Sequence, residues 1–176
     1  MCNSQKMKPR HPYYSMWQNK SKYAAACEGD DYWVDSLKLQ KQYDFMESHP
    51  TCSMCFHPNY RLFSDNKMTK HYPKPIKEMY GPKDVILAGG GMLATSSIFY
   101  LCRFYPEAED RPDFWKNAPV GDVPLRLYMA AKGNIGYIND IMSVYRKSSG
   151  SWFLRNQKNI QKNCNHKSST ISVRWI

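Results

Sequence analysis

The chain has 176 residues, of which 42% are hydrophobic and 23% charged, proportions that fit one folded domain and exclude an intrinsically disordered chain. No run approaches the ~18 consecutive apolar residues of a spanning helix, and Met1 to Lys20 lacks the apolar core of a secretory signal, so a cytoplasmic protein, at most peripheral at a membrane, is expected. Six scattered cysteines do not make a disulfide scaffold, and a net charge of +10 suits phosphates, nucleic acid or anionic lipid without choosing among them.

In chain order, residues 1–21 are basic and weakly periodic, and read as a solvated tail. Tyr23-Ala24-Ala25-Ala26-Cys27 then forms a short run of small, mostly apolar residues stopped by Glu28-Gly29-Asp30-Asp31, the pattern of a buried strand ending at an acidic loop. In open α/β sheets ligands bind at the carboxyl ends of strands, which makes that loop a candidate site. Asp35 is a suitable cap for a helix from Ser36 to about Ser48, with Leu39, Tyr43 and Met46 on its inward face and Pro50 as its stop. Cys52, Met54 and Phe56 alternate with Ser53, Cys55 and His57, as in a half-buried strand. That alternation sets Cys52 on the opposite face from Cys55 and His57, which argues against a zinc site.

Residues 59–84 hold Pro73, Pro75 and Pro82 among many lysines and read as a long loop with at most one short helix. Beyond Gly89-Gly90-Gly91, the segment from Met92 to Leu101 suits a second buried strand. Asp122, Pro124 and Lys132-Gly133 carry the start and stop signals of a helix. Ile135 to Tyr145 predicts one or two strands with Asn139-Asp140 as a turn, and residues 153–176 form a second basic, polar tail.

Three carboxylates within four residues suit a hard divalent ion bound together with a substrate phosphate, although a solvated acidic turn has the same composition. The flanking residues add to this. Lys22 to Trp33 followed by Leu37-Lys38-Leu39-Gln40-Lys41-Gln42 closely resembles the metal-binding segment of bacterial family-2 glycosyltransferases. Gly89 to Phe99 is similar to that family's acceptor-side strand, and Val120 to Leu125 with Ala131-Lys132-Gly133 resembles the helix whose leading Asp is its catalytic base. Ile141 to Arg146 and Gly150-Ser151-Trp152 look like its closing strand and donor-covering loop, so the resemblance spans roughly Ser21 to Trp152.

The resemblance implies an α/β protein with part of the GT-A fold, a mixed sheet with flanking helices, over residues 22–152. It also implies an inverting transfer of sugar from a UDP- or GDP-sugar to a saccharide or related hydroxyl acceptor, as in cell-surface polysaccharide synthesis. Asp30, with Glu28 or Asp31, would hold Mn²⁺ or Mg²⁺ on the donor diphosphate. Asp122 would take the acceptor's proton, although without the resemblance the residues around it read rather as a simple helix cap. Arg146 would face the diphosphate, and Trp33 and Trp152 would stack on sugar.

Family members carry a nucleotide-binding half before the strand that begins here near Lys22, and two βαβ units do not fit into 21 residues. The expectation is therefore an incomplete fold with an unpaired sheet edge, inactive alone, which aggregates or takes a partner chain carrying the other half. A non-catalytic basic module binding RNA or an anionic surface is the alternative, supported by charge and by Tyr13, Tyr14 and Trp17 among lysines, although no RNA-binding motif is present.

Overall fold

A computed structural model describes residues 21–106, 109–116, 118 and 122–147, and the backbone of 171–175. The chain is an α/β protein with two mixed sheets and flanking helices. The larger sheet contains β1 (Tyr23–Glu28), β3 (Cys52–Phe56), β6 (Met79–Tyr80), β7 (Phe99–Leu101), β8 (Asn134–Tyr137) and β10 (Ile171–Trp175), in the order β10-β1-β7-β3-β8-β6. The smaller contains β2 (Tyr32–Trp33), β4 (Asn59–Phe63), β5 (Met68–His71) and β9 (Ser143–Lys147), in the order β2-β9-β4-β5. Among the described residues no helix is long and apolar enough to cross a membrane.

The larger sheet is covered on both faces, which explains why its central strands lack an exposed polar side. Ala24, Ala26, Met54, Phe56 and Tyr100 pack with Leu125 and Met129 of α4 (Asp122–Lys132). Tyr23, Ala25, Phe99 and Leu101 pack on the other face with Met46 of α1 (Lys38–Ser48). β3 is buried along its whole length rather than half-buried. A register shift between Cys52 and Met54 also undoes the strict alternation expected there, so Cys52 and Cys55 share one core cluster. Burial raises the pKa of both thiols, and among the described residues no three metal-ligating side chains gather.

α1 starts later than its sequence signal. Asp35 accepts the Leu37 N–H at 2.8 Å and the Lys41 ammonium at 2.9 Å, closing a turn ahead of the helix instead of capping it. The buried positions of α1 are Lys38, Gln42 and Met46, whereas Tyr43 is exposed. Lys38 is fully buried, bonded to Gln42 Oε1 and 4.3 Å from the centre of the Trp33 ring.

The expected long loop contains the β4–β5 hairpin, β6 and the start of α2 (Pro82–Ala88). Asn59, Arg61, Thr69 and Lys70 masked its alternation, and Asn66 turns the hairpin at φ 62°. The expected strand from Met92 to Leu101 is reduced to Phe99–Leu101, because Thr95–Ser97 coil into a 3₁₀ turn. Of the one or two strands expected from Ile135 to Tyr145 there are two, β8 and β9, and they enter different sheets. The backbone of Ile171–Trp175, expected as tail, pairs antiparallel with Ala24–Glu28, so the outer edge of β1 is occupied.

Gly133 ends α4 where an added Cβ would lie 2.7 Å from Thr51 O and 3.0 Å from Ser53 N. Gly133→Ala should therefore destabilise the fold by about 1–3 kcal/mol in urea denaturation, since backbone atoms have little room to yield. Burial holds Lys38 down to about 8, from the usual 10.5. The unfolded chain thus binds the extra proton between those values, and stability contributed at this position rises with pH across that window. The wild type should gain on the order of 3 kcal/mol over Lys38→Met between pH 7.5 and 10.5. A constant difference between the two proteins would contradict this.

Candidate active site

β1, β3 and β8 run parallel to one another, since β7 is antiparallel to both β1 and β3 and β8 is parallel to β3. Their carboxyl ends share one edge of the larger sheet. From that edge the chain continues into the smaller sheet, with β2 following β1, β4 following β3 and β9 following β8. α4 runs back toward the start of β8, so its first residue, Asp122, comes to the same edge.

The acidic turn closes through the Asp31 N–H, which donates to Glu28 O at 3.0 Å. Glu28 is partly buried and accepts the Thr95 hydroxyl at 3.1 Å. Burial raises its pKa, Thr95 lowers it, and the nearby charges of Asp122 and Asp30 raise it. The tertiary fold thus brings Asp122 within electrostatic range of the acidic turn. Asp122 also attracts Arg126, which is buried one turn further along α4.

The three carboxylates of the turn are not equivalent. Asp30 is exposed at its tip. Asp31 turns inward and accepts the Arg146 backbone N–H at 3.0 Å, which fastens β9 to the end of β1. Its Oδ2 is shut off from solvent and lacks a well-aligned hydrogen bond among the described residues. Burial pushes this carboxyl up to about 7, against the lowering effects of the Arg146 N–H and the Ser96 hydroxyl. Among the described residues no three acids close into a metal cage. Asp30 and Glu28 still fit the sparser arrangement in which one or two carboxylates share an ion with substrate phosphate, with Asp31 buried as the turn's support.

Trp33 is half-buried. Its indole N–H donates to Ser96 O at 3.0 Å and Lys38 occupies one side of the ring. Arg146 is exposed, with its guanidinium 5.1 Å from the centre of the Tyr32 ring. Trp152 lies outside the described residues. Sequence reasoning missed Thr95 and Ser96, whose run of hydroxyl residues after Ala94 was a turn signal, and also Tyr145. The Tyr145 phenol is raised to about 12 by burial and by Glu28, Asp31 and Asp30, so it too stands near the acidic turn.

No known family profile matches the chain. A Mycobacterium bovis protein described as uncharacterized is 34% identical over 134 residues, which is 76% of this chain and 37% of that protein. Two Mycobacterium tuberculosis proteins, described in the same way, match with the same identity and coverage. The chain thus spans 37% of the length of these curated relatives.

Because folded Asp31 keeps its proton to about pH 7 and the unfolded residue releases it near 3.8, the folded state binds more protons between those values. Stability contributed at Asp31 therefore falls as pH rises through that window. Relative to Asp31→Asn, the wild type should lose on the order of 4 kcal/mol between pH 4 and 8 in urea denaturation. A parallel pH profile for the two proteins would show that the carboxyl is ordinarily solvated.

Proposed function

We propose that this chain carries the catalytic edge of an inverting glycosyltransferase of the GT-A class, which moves sugar from a nucleotide-sugar donor to a hydroxyl acceptor. The observation that carries this reading is the approach of Asp122, at the start of α4, to within electrostatic range of Glu28, at the end of β1. The four ordered sequence resemblances supply the reaction class; the α/β layering and the shared strand edge are compatible with it.

In this reading the acceptor hydroxyl approaches Asp122, whose carboxylate takes its proton as the oxygen attacks the anomeric carbon. Orientation of the acceptor against Asp122 supplies much of the advantage. Glu28 and Asp30 would hold Mn²⁺ or Mg²⁺, which supplies Lewis-acid neutralisation of the departing diphosphate. Thr95 orients Glu28 through its hydroxyl. Trp33 would contribute aromatic surface to the sugar, and Arg146 a cation at the rim. The donor would be a UDP- or GDP-sugar and the setting cytoplasmic, near a membrane that displays the growing saccharide.

The test is nucleoside-diphosphate release from a panel of UDP- and GDP-sugars with Mn²⁺, using this chain fused behind a nucleotide-binding half of the resembled family. Asp122→Asn should leave the fold intact by circular dichroism and reduce turnover by about 10²- to 10⁴-fold. An Asn variant with full turnover, or no Mn²⁺-dependent turnover of any donor, would refute the reading.

A further inference from the structure

We propose that the face of the smaller sheet bearing Arg61, His71 and Lys147 is an oxyanion site that takes the phosphate group of a small ligand, beside the acidic turn and distinct from Arg146. The site stands whether or not the chain transfers sugar.

The strand register assembles it. Asn59, Arg61 and Phe63 of β4 lie opposite Ser143, Tyr145 and Lys147 of β9. On the other side of β4, His71 and Thr69 lie opposite Asn59 and Arg61. Side chains of paired residues share a face, and alternate residues along a strand return to it. Arg61, His71, Tyr145 and Lys147 therefore point one way, while Arg146 points the other, toward Tyr32. Among the basic side chains, those on the Arg61 side are the better covered: Arg61, His71 and Lys147 are each partly buried, whereas Lys70 and Arg146 are exposed.

Basic faces are commonly no more than solvated surface, and two features set this one apart. Arg61 has its Nε–H closed off from solvent with no hydrogen-bond partner among the described residues, a donor without an acceptor. The basic side chains are also close enough to act on one another. His71 is lowered to about 4 by burial, then by Arg61, Lys147 and Lys74, and Lys147 is lowered by burial and by Arg61. Burial likewise lowers Arg61. Arg61 and Lys147 are thus the cations beside a His71 ring that stays neutral at pH 7, and the guanidinium fork together with the Tyr145 hydroxyl suits tetrahedral phosphate. Tyr145 also senses the acidic turn, so the two oppositely charged walls adjoin.

The same phosphate chemistry is offered by a free ion, a nucleotide or a lipid, and three probes separate them: inorganic pyrophosphate, UDP and farnesyl phosphate. Binding of each to the full chain would be titrated by calorimetry at low salt and without divalent metal, with the His71 ring signals followed by NMR. Arg61→Gln and Lys147→Gln should each weaken binding by about tenfold or more, with Lys70→Gln, on the opposite face of the sheet, within about twofold of wild type. The His71 signals should move on saturation. Equal affinity for the three probes assigns the site to phosphate alone, while a gain with UDP or with farnesyl phosphate names the source. Arg61→Lys retains the charge and loses the fork, and should bind weakly even if Arg61→Gln fails to fold. Absence of binding by all three probes, equal losses in Arg61→Gln and Lys70→Gln, or unmoved His71 signals would overturn the proposal.

Discussion

The single turn Thr95–Ser97 is the joint on which both sheets and the acidic end of β1 depend. All three residues are buried, so their backbone carbonyls and hydroxyls need partners, and the partners come from four separate parts of the chain. Trp33 donates to Ser96 O and Gln42 donates to Ser97 O. Thr95 donates to Glu28, and the Ser96 and Ser143 hydroxyls lie 3.3 Å apart. β1, β2, α1 and β9 are thereby fixed to one point. Removing any of these partners would leave a buried polar group unsatisfied, at a cost of about 1–3 kcal/mol, which explains why so polar a segment tolerates burial.

The same joint organises the charge distribution. Lys38, the only fully buried ammonium among the described residues, lies behind Trp33 and Gln42. Its neighbour His57 is held down to about 3 by burial and by Lys38, with its Nδ1 2.8 Å from Pro58 O. Toward solvent, Glu28 and Asp30 stand on one wall, with Asp31 buried behind them and Asp122 approaching from α4. Arg61, His71 and Lys147 gather on the adjoining wall, with Tyr145 between. Surface ion pairs elsewhere, such as Lys41 with Asp35 and Asp140, neutralise one another and contribute little.

The sequence by itself determined those elements whose signals are local. The alanine run of β1 stopped by acids, the Asp122-to-Gly133 limits of α4, and β8 with β9 were all legible, because caps, breakers and apolar runs act over a few residues. The acidic turn, too, was a candidate from its position at a strand end. Only the tertiary structure decided which of its carboxylates faces inward, since the burial of Asp31 depends on the backbone of Arg146, far along the chain. It also turned Lys38 and Gln42 into the core and exposed Tyr43, against their polarity, because Ser97 O and the Trp33 ring await them there. The β4–β5 hairpin, β10 and the Cys52–Met54 irregularity were invisible for the same reason. A strand's pairing partner supplies half of its hydrogen bonds and one side of its packing, and neither is written in the strand's own residues.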